Sequence, residues 1–271
     1  MLPSSFRTRA VHFAYLIGPP QMLSRQEAMQ IHDAVCEKLG VDDVAFQYQT
    51  TSSEQEPDQG PRGESRGFAI QLQREQGRGT FNVTLDKDPN VQDPGRQNPV
   101  RFLVQYTWPP TRQHVSEDLD LASEAVFETL GEDWQRVLAE ARVRGQVEAQ
   151  GGSGVDYLAE QVLGFEEADL ENLDAPVSFA TVGYETPAQD PASDDQLSSP
   201  KREVTLEVLR EDPRSLYVEV VSQWPQFAAQ AKGQQVQINP QRLRQFTAVP
   251  SDYVEDTVDY IRTVLLPLFS G

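Results

Sequence analysis

"RFLVQYTWPP", residues 101–110, sets Phe102, Val104 and Tyr106 on one face of an extended strand and then runs into a Trp-Pro corner. Proline cannot donate to a strand ladder, so it ends the strand, and the indole beside it closes the end of a core. "YVEVVSQWPQ", residues 217–226, repeats the arrangement. Whether the chain is built twice from one unit therefore decides its architecture.

The surroundings of the two corners agree. "NVTLDKDP" (82–89) resembles "EVTLEVLREDP" (203–213), and each leads into a Trp-Pro strand. A helix follows each corner. Leu119, Val126 and Leu130 fall opposite Val254, Ile261 and Leu265, with Ser116 opposite Ser251 at the cap. These matches predict an α+β fold of two similar halves, an internal duplication. Each half is expected to be an antiparallel sheet, a hairpin plus the Trp-Pro strand, covered by amphipathic helices. The glycine-rich stretch "GQVEAQGGSG" (145–154) reads as the linker, giving halves at 1–150 and 151–271.

The remaining elements follow from periodicity and capping. "VHFAYLIG" (11–18) is a first strand rather than a secretion signal, because His12 interrupts its apolar run and two prolines end it. Ser24 and Glu27 stand at capping-box spacing before a helix over 25–39 that stops at Gly40. Phe68, Ile70 and Leu72 alternate, "GRG" turns, and Phe81, Val83 and Leu85 alternate back as a hairpin. A helix from Ser116 is interrupted at Gly131 and resumes with Trp134, Val137, Leu138 and Ala141, carrying Arg136, Arg142 and Arg144. "PVSFATVGY" (176–184) is a strand, and a last helix runs from Ser251 to near Phe269.

Charge narrows the functions. The net charge is −19, from 42 acidic and 23 basic residues. Between Arg144 and Lys201 there is no Lys or Arg, whereas Glu and Asp occur twelve times. Such a field repels phosphate backbones, so no nucleic-acid partner is expected. No apolar run is long enough to cross a bilayer, so no membrane partner is expected either. Cys36 is the only cysteine, which excludes an internal disulfide and fits a cytoplasmic location.

No catalytic signature stands out. His12, His32 and His114 are not at metal-ligand spacing, and there is no phosphate loop, dinucleotide fingerprint or nucleophile elbow. No cofactor is expected and catalytic residues are not assigned. The candidate cation ligands are Glu166, Glu167, Asp169 and Glu171 in "FEEADLENLD", a run that reads first as a solvated helix end. Trp108 and Trp224 are the candidate ligand-stacking residues, read first as core ends. The expectation is a non-catalytic interaction or assembly protein whose acidic surface meets a protein partner or a second copy. The alternative is a small-molecule binding protein or hydrolase with its site in a cleft between the halves.

Overall fold

The computed structural model describes residues 6–18, 24–41, 48–51, 65–74, 79–87, 100–107, 112–131, 135–148, 153–158, 163, 181–187, 199–209, 212–225 and 248–268. Its strands are β1 (Arg7–Gly18), β2 (Tyr48–Thr51), β3 (Ser65–Arg74), β4 (Gly79–Lys87), β5 (Val100–Thr107), β6 (Gln135–Glu148), β7 (Thr181–Thr186), β8 (Lys201–Leu209) and β9 (Asp212–Pro225). The helices among the described residues are α1 (Arg25–Leu39), α2 (Arg112–Leu130), the single turn α3 (Gly154–Asp156) and α4 (Pro250–Tyr260). The chain after α4 continues through a π-helical turn, Ile261–Leu265, into Leu266–Leu268.

The class is α+β, but the expected pair of sheets is replaced by one. Among the described residues, all nine strands form a single sheet in the order β2-β3-β4-β5-β1-β6-β9-β8-β7. Every pairing is antiparallel. What fuses the sheet is β6, where a helical pattern was expected. Gly131, at φ 80°, ends α2 with its N–H on the Phe127 carbonyl, and the chain turns into a strand. From Ala139 onward the period is two, with Ala139, Ala141, Val143 and Val147 buried on one face. That alternation overrides the i,i+4 spacing of Val137 and Ala141. The strand also absorbs Gly145–Glu148 of the expected linker and pairs along β1 from Arg7↔Gln146 to Gly18↔Gln135.

One face of the sheet carries the helices. Val104, Phe13, Ala141 and Ser222 form one cross-strand row, and Phe102, Tyr15, Ala139 and Trp224 the next. The alanines of β6 leave room that Tyr253 of α4 fills. Its ring stacks on Phe13 at 5.9 Å and meets Tyr15 and Trp224 edge-on at 6.3 and 4.9 Å. Phe127 of α2 meets Tyr15 edge-on at 5.6 Å. Leu119, Ala122 and Val126 of α2 and Val254, Ile261 and Leu265 of the last helix are buried in the same core, as their spacing predicts.

The helix ends explain where the helices start and stop. Glu27 N–H donates to Ser24 Oγ at 3.2 Å and Ser24 N–H to Glu27 Oε2 at 2.7 Å, the expected capping box, and Gly40 closes α1 at φ 63°. At α4, Val249 N–H donates to Asp252 Oδ2 at 3.1 Å, and Pro250 takes the first turn, where a missing N–H costs nothing.

Candidate functional site

The sheet face turned away from the core rings carries a charged network on β6 and β9. Cross-strand register sets Arg144 opposite Glu219 and Glu140 opposite Gln223. Arg144 Nε pairs with Glu219 Oε2, and Arg142 reaches Glu219 Oε1 at 3.8 Å and Glu140 Oε1 at 3.6 Å. Tyr217 Oη donates to Glu219 Oε2 at 2.8 Å, and Gln223 Nε2 donates to Glu140 Oε2 at 2.9 Å. The two glutamates are only 17% and 18% exposed, so these contacts are shielded more than ordinary surface pairs. His12 lies across from Arg142 in the β1–β6 ladder.

The electrostatics of this network suit holding charge in place rather than moving protons. Burial alone would raise the Glu219 pKa. The Tyr217 hydrogen bond and the two arginines outweigh it, and hold the carboxyl below the usual glutamate range. A carboxylate held ionised in this way is a weak general base. Burial and the Glu219 contact push Tyr217 above the usual phenol range, so it remains a donor.

The helix layer presents a different surface. Glu117, Glu124 and Glu128 of α2 and Asp252, Glu255 and Asp259 of α4 are exposed. The sequence of α4 has no Lys or Arg, and that of α2 has only Arg112 at its start. Lys38 of α1 bridges Glu124 and Glu128 at 3.2 and 3.3 Å. Burial raises the Asp120 pKa against its bonds from Ser251, with Asp252 and Glu255 pushing the same way. Asp120 of α2 thus shares a negative field with Asp252 and Glu255 of α4.

The residues singled out by sequence fall as follows. Trp224 is 2% exposed, with its ring edge-on to Tyr253 in the core. Trp108 lies outside the described residues, as do Glu166, Glu167, Asp169 and Glu171. Arg136, Arg142 and Arg144 stand on β6 rather than on a helix. Arg136 lies over the rings of Phe127 and Tyr15 at 4.3 and 4.7 Å and donates to the Ala248 carbonyl at 3.2 Å. Among the described residues, Arg142 pairs with Glu140 and Glu219 and Arg144 with Glu219. Among the described residues no group of three or more His, Cys, Asp or Glu could hold a metal, and no helix is long and apolar enough to cross a membrane.

Sequence reading passed over one constellation. On α1, His32 Nδ1 lies 3.0 Å from Asp33 Oδ1 and His32 Nε2 lies 3.8 Å from Cys36 Sγ. The i,i+4 spacing of His32 and Cys36 was the available signal. Burial, with Asp33 adding to it, pushes the Cys36 thiol up, which opposes the thiolate a nucleophile needs. The half-buried Cys36 packs against the core.

Compared with family models, curated proteins and solved structures, the chain matches none.

Proposed function

We propose that this chain is a non-catalytic interaction protein, a pseudo-dimer of one duplicated unit whose acidic side engages a basic protein partner. The observation that carries the partner is the acidic surface of α2 and α4, with six exposed carboxylates and a single Arg in the two helices; Lys38 of α1 bridges two of the six, Glu124 and Glu128. Such a field raises the local concentration and the association rate of a positively charged surface.

The duplication is supported by strand register. Val104 and Val220 each stand four residues before a Trp-Pro corner. Val104 pairs with Val83 of "NVTL", and Val220 pairs with Val204 of "EVTL", so two independent sequence matches meet at the same ladder position. The same mapping carries Phe13, the partner of Val104, onto Val143, the partner of Val220. It carries Val11 onto Ala141. The central ladder pairs Val11 with Val143 and Phe13 with Ala141, as a two-fold axis between His12 and Arg142 requires. On this reading the second unit begins with β6, and the division between units falls just after α2 rather than at 150.

The alternative, a ligand site in a cleft between the halves, has less support, because β1 and β6 pair directly along the join. The test of the interaction reading is a titration of the full chain with a lysine-rich peptide at rising salt. Affinity that drops steeply beyond about 0.15 M, where screening reaches roughly 8 Å, is the expected result. No binding of basic peptide at low salt would refute it. Sedimentation of the protein alone over the same range separates partner binding from self-association.

A further inference from the structure

We propose that β7 accepts an extended, basic polypeptide segment as an additional edge strand of the sheet. The proposal rests on the basic-partner reading above and adds the place and the mode of binding.

Among the described residues β7 is the last strand of the sheet and pairs only with β8. Its ladder with β8 runs without a register shift from Thr181↔Glu207 to Thr186↔Arg202. Thr181, Gly183, Tyr184 and Glu185 are exposed, although they alternate between the two faces of the sheet. An edge strand presents a row of backbone donors and acceptors, and proteins commonly blunt such edges with lysine, proline or a bulge. β7 has none of these within Thr181–Thr186. Gly183 sits at its middle, and a residue without a side chain lets another backbone approach closely. The strand is also held firmly from behind. Tyr184 Oη lies 3.0 Å from Tyr260 Oη on α4, and Lys201 Nζ ties Glu185 at 3.1 Å.

Charge selects the occupant. Glu185, Glu203 and Glu207 belong to β7 and β8, with Lys201 and Arg202 as the cations of that hairpin, and Arg202 is paired with Asp256 at 2.5 Å. The chain that enters and leaves β7 carries acids alone: Asp174 before it, and Asp190, Asp194 and Asp195 after it. A nucleic acid would be repelled by this set. A second copy added through its own β7 would bring two such acidic sets together, which like-charge repulsion opposes. An extended basic segment gains both terms: main-chain hydrogen bonds from the edge and attraction from its flanks.

The experiment uses the full chain and a labelled decapeptide of alternating Lys and Val, read by fluorescence anisotropy at low salt. Two controls keep its charge. One is N-methylated at every second residue, which leaves one hydrogen-bonding edge intact; the other is methylated at every residue, which blocks both. The unmodified and half-methylated peptides are expected to bind comparably, and the fully methylated peptide about tenfold or more weaker. Amide hydrogen exchange should slow within residues 181–186 when the unmodified peptide is added. Equal binding by all three peptides, or protection that leaves 181–186 unchanged, would overturn the strand-addition proposal and leave the basic-partner reading standing. Absence of binding by any of them would overturn both.

Discussion

Asp120 of α2 caps the helix of the opposite end of the chain: the Ser251 N–H and Oγ both donate to its carboxylate, at 2.9 and 2.6 Å. These two bonds stitch α2 to the first turn of α4. They also satisfy one of the amides that a helix start leaves without an intrahelical acceptor. Asp120→Ala removes the cap supplied from outside and should cost about 1–2 kcal/mol, as lost N-caps do. Denaturant melts monitored by circular dichroism measure it. An unchanged midpoint would mean that water replaces the carboxylate at no cost.

The same carboxyl predicts a pH dependence. Burial, the largest cause, raises the Asp120 pKa in the folded state, and burial likewise raises Asp256 against its Arg202 partner. The folded state therefore holds these protons more tightly than the unfolded chain. Their contribution is full below the ordinary aspartate value of about 3.9 and is lost as pH rises through the raised values. Glu219 works in the opposite sense. Its pKa is lowered, so its contribution is present above about 4.3 and is lost as pH falls through the lowered value. Melting temperatures taken between about pH 3 and 7 should show Asp120→Asn losing less stability than the parent as pH rises. Glu219→Gln should lose less than the parent as pH falls.

Trp224 separates volume from polarity. Its ring is buried against Tyr253, while its indole N–H has no acceptor among the described residues. Trp224→Ala should cost about 3–5 kcal/mol. Trp224→Phe retains most of the ring and removes a buried donor that was already unsatisfied, so its cost should stay below about 1.5 kcal/mol. Equal losses in the two variants would show that the N–H does have a partner in solution.

Gly145 distinguishes strand from linker. A Cβ there would collide with the Phe6 ring and would stand 2.7 Å from the Arg7 carbonyl oxygen. Gly145→Ala should therefore destabilise by about 1–3 kcal/mol, the usual penalty of overpacking. In a flexible linker the same change would be neutral or mildly stabilising. Thermal melts read the sign directly.

Much of the first half was legible because its signals are local. Ser24, Glu27 and Gly40 bracket α1 through contacts that lie within a few residues, and Phe102, Val104 and Tyr106 announce β5 by period alone. β6 was misread for a physical reason. Ala139 and Ala141 are weak markers of either period, and Trp134, Val137, Leu138 and Ala141 also fit a helical stripe. What selects the strand is the pairing of β6 with β1 and β9, which no short window of sequence contains. The network of Glu140, Arg142, Arg144 and Glu219 was hidden for the same reason: two segments about 75 residues apart, as Arg144 and Glu219 are, meet only through that register. The Trp-Pro corners gave the internal resemblance, but not that the described strands would all share one sheet.

Among the described residues, β1 is the middle strand of the sheet, with four strands on either side. Its neighbours are β5 and β6, whose residues lie at 100–107 and 135–148. At a ribosomal pace of about 5–20 residues per second, "VHFAYLIG" spends several seconds with both edges bare before either neighbour exists. Assembly is consequently dominated by distant pairings, which places this chain among slow folders and leaves this apolar strand in need of shelter until its partners are made.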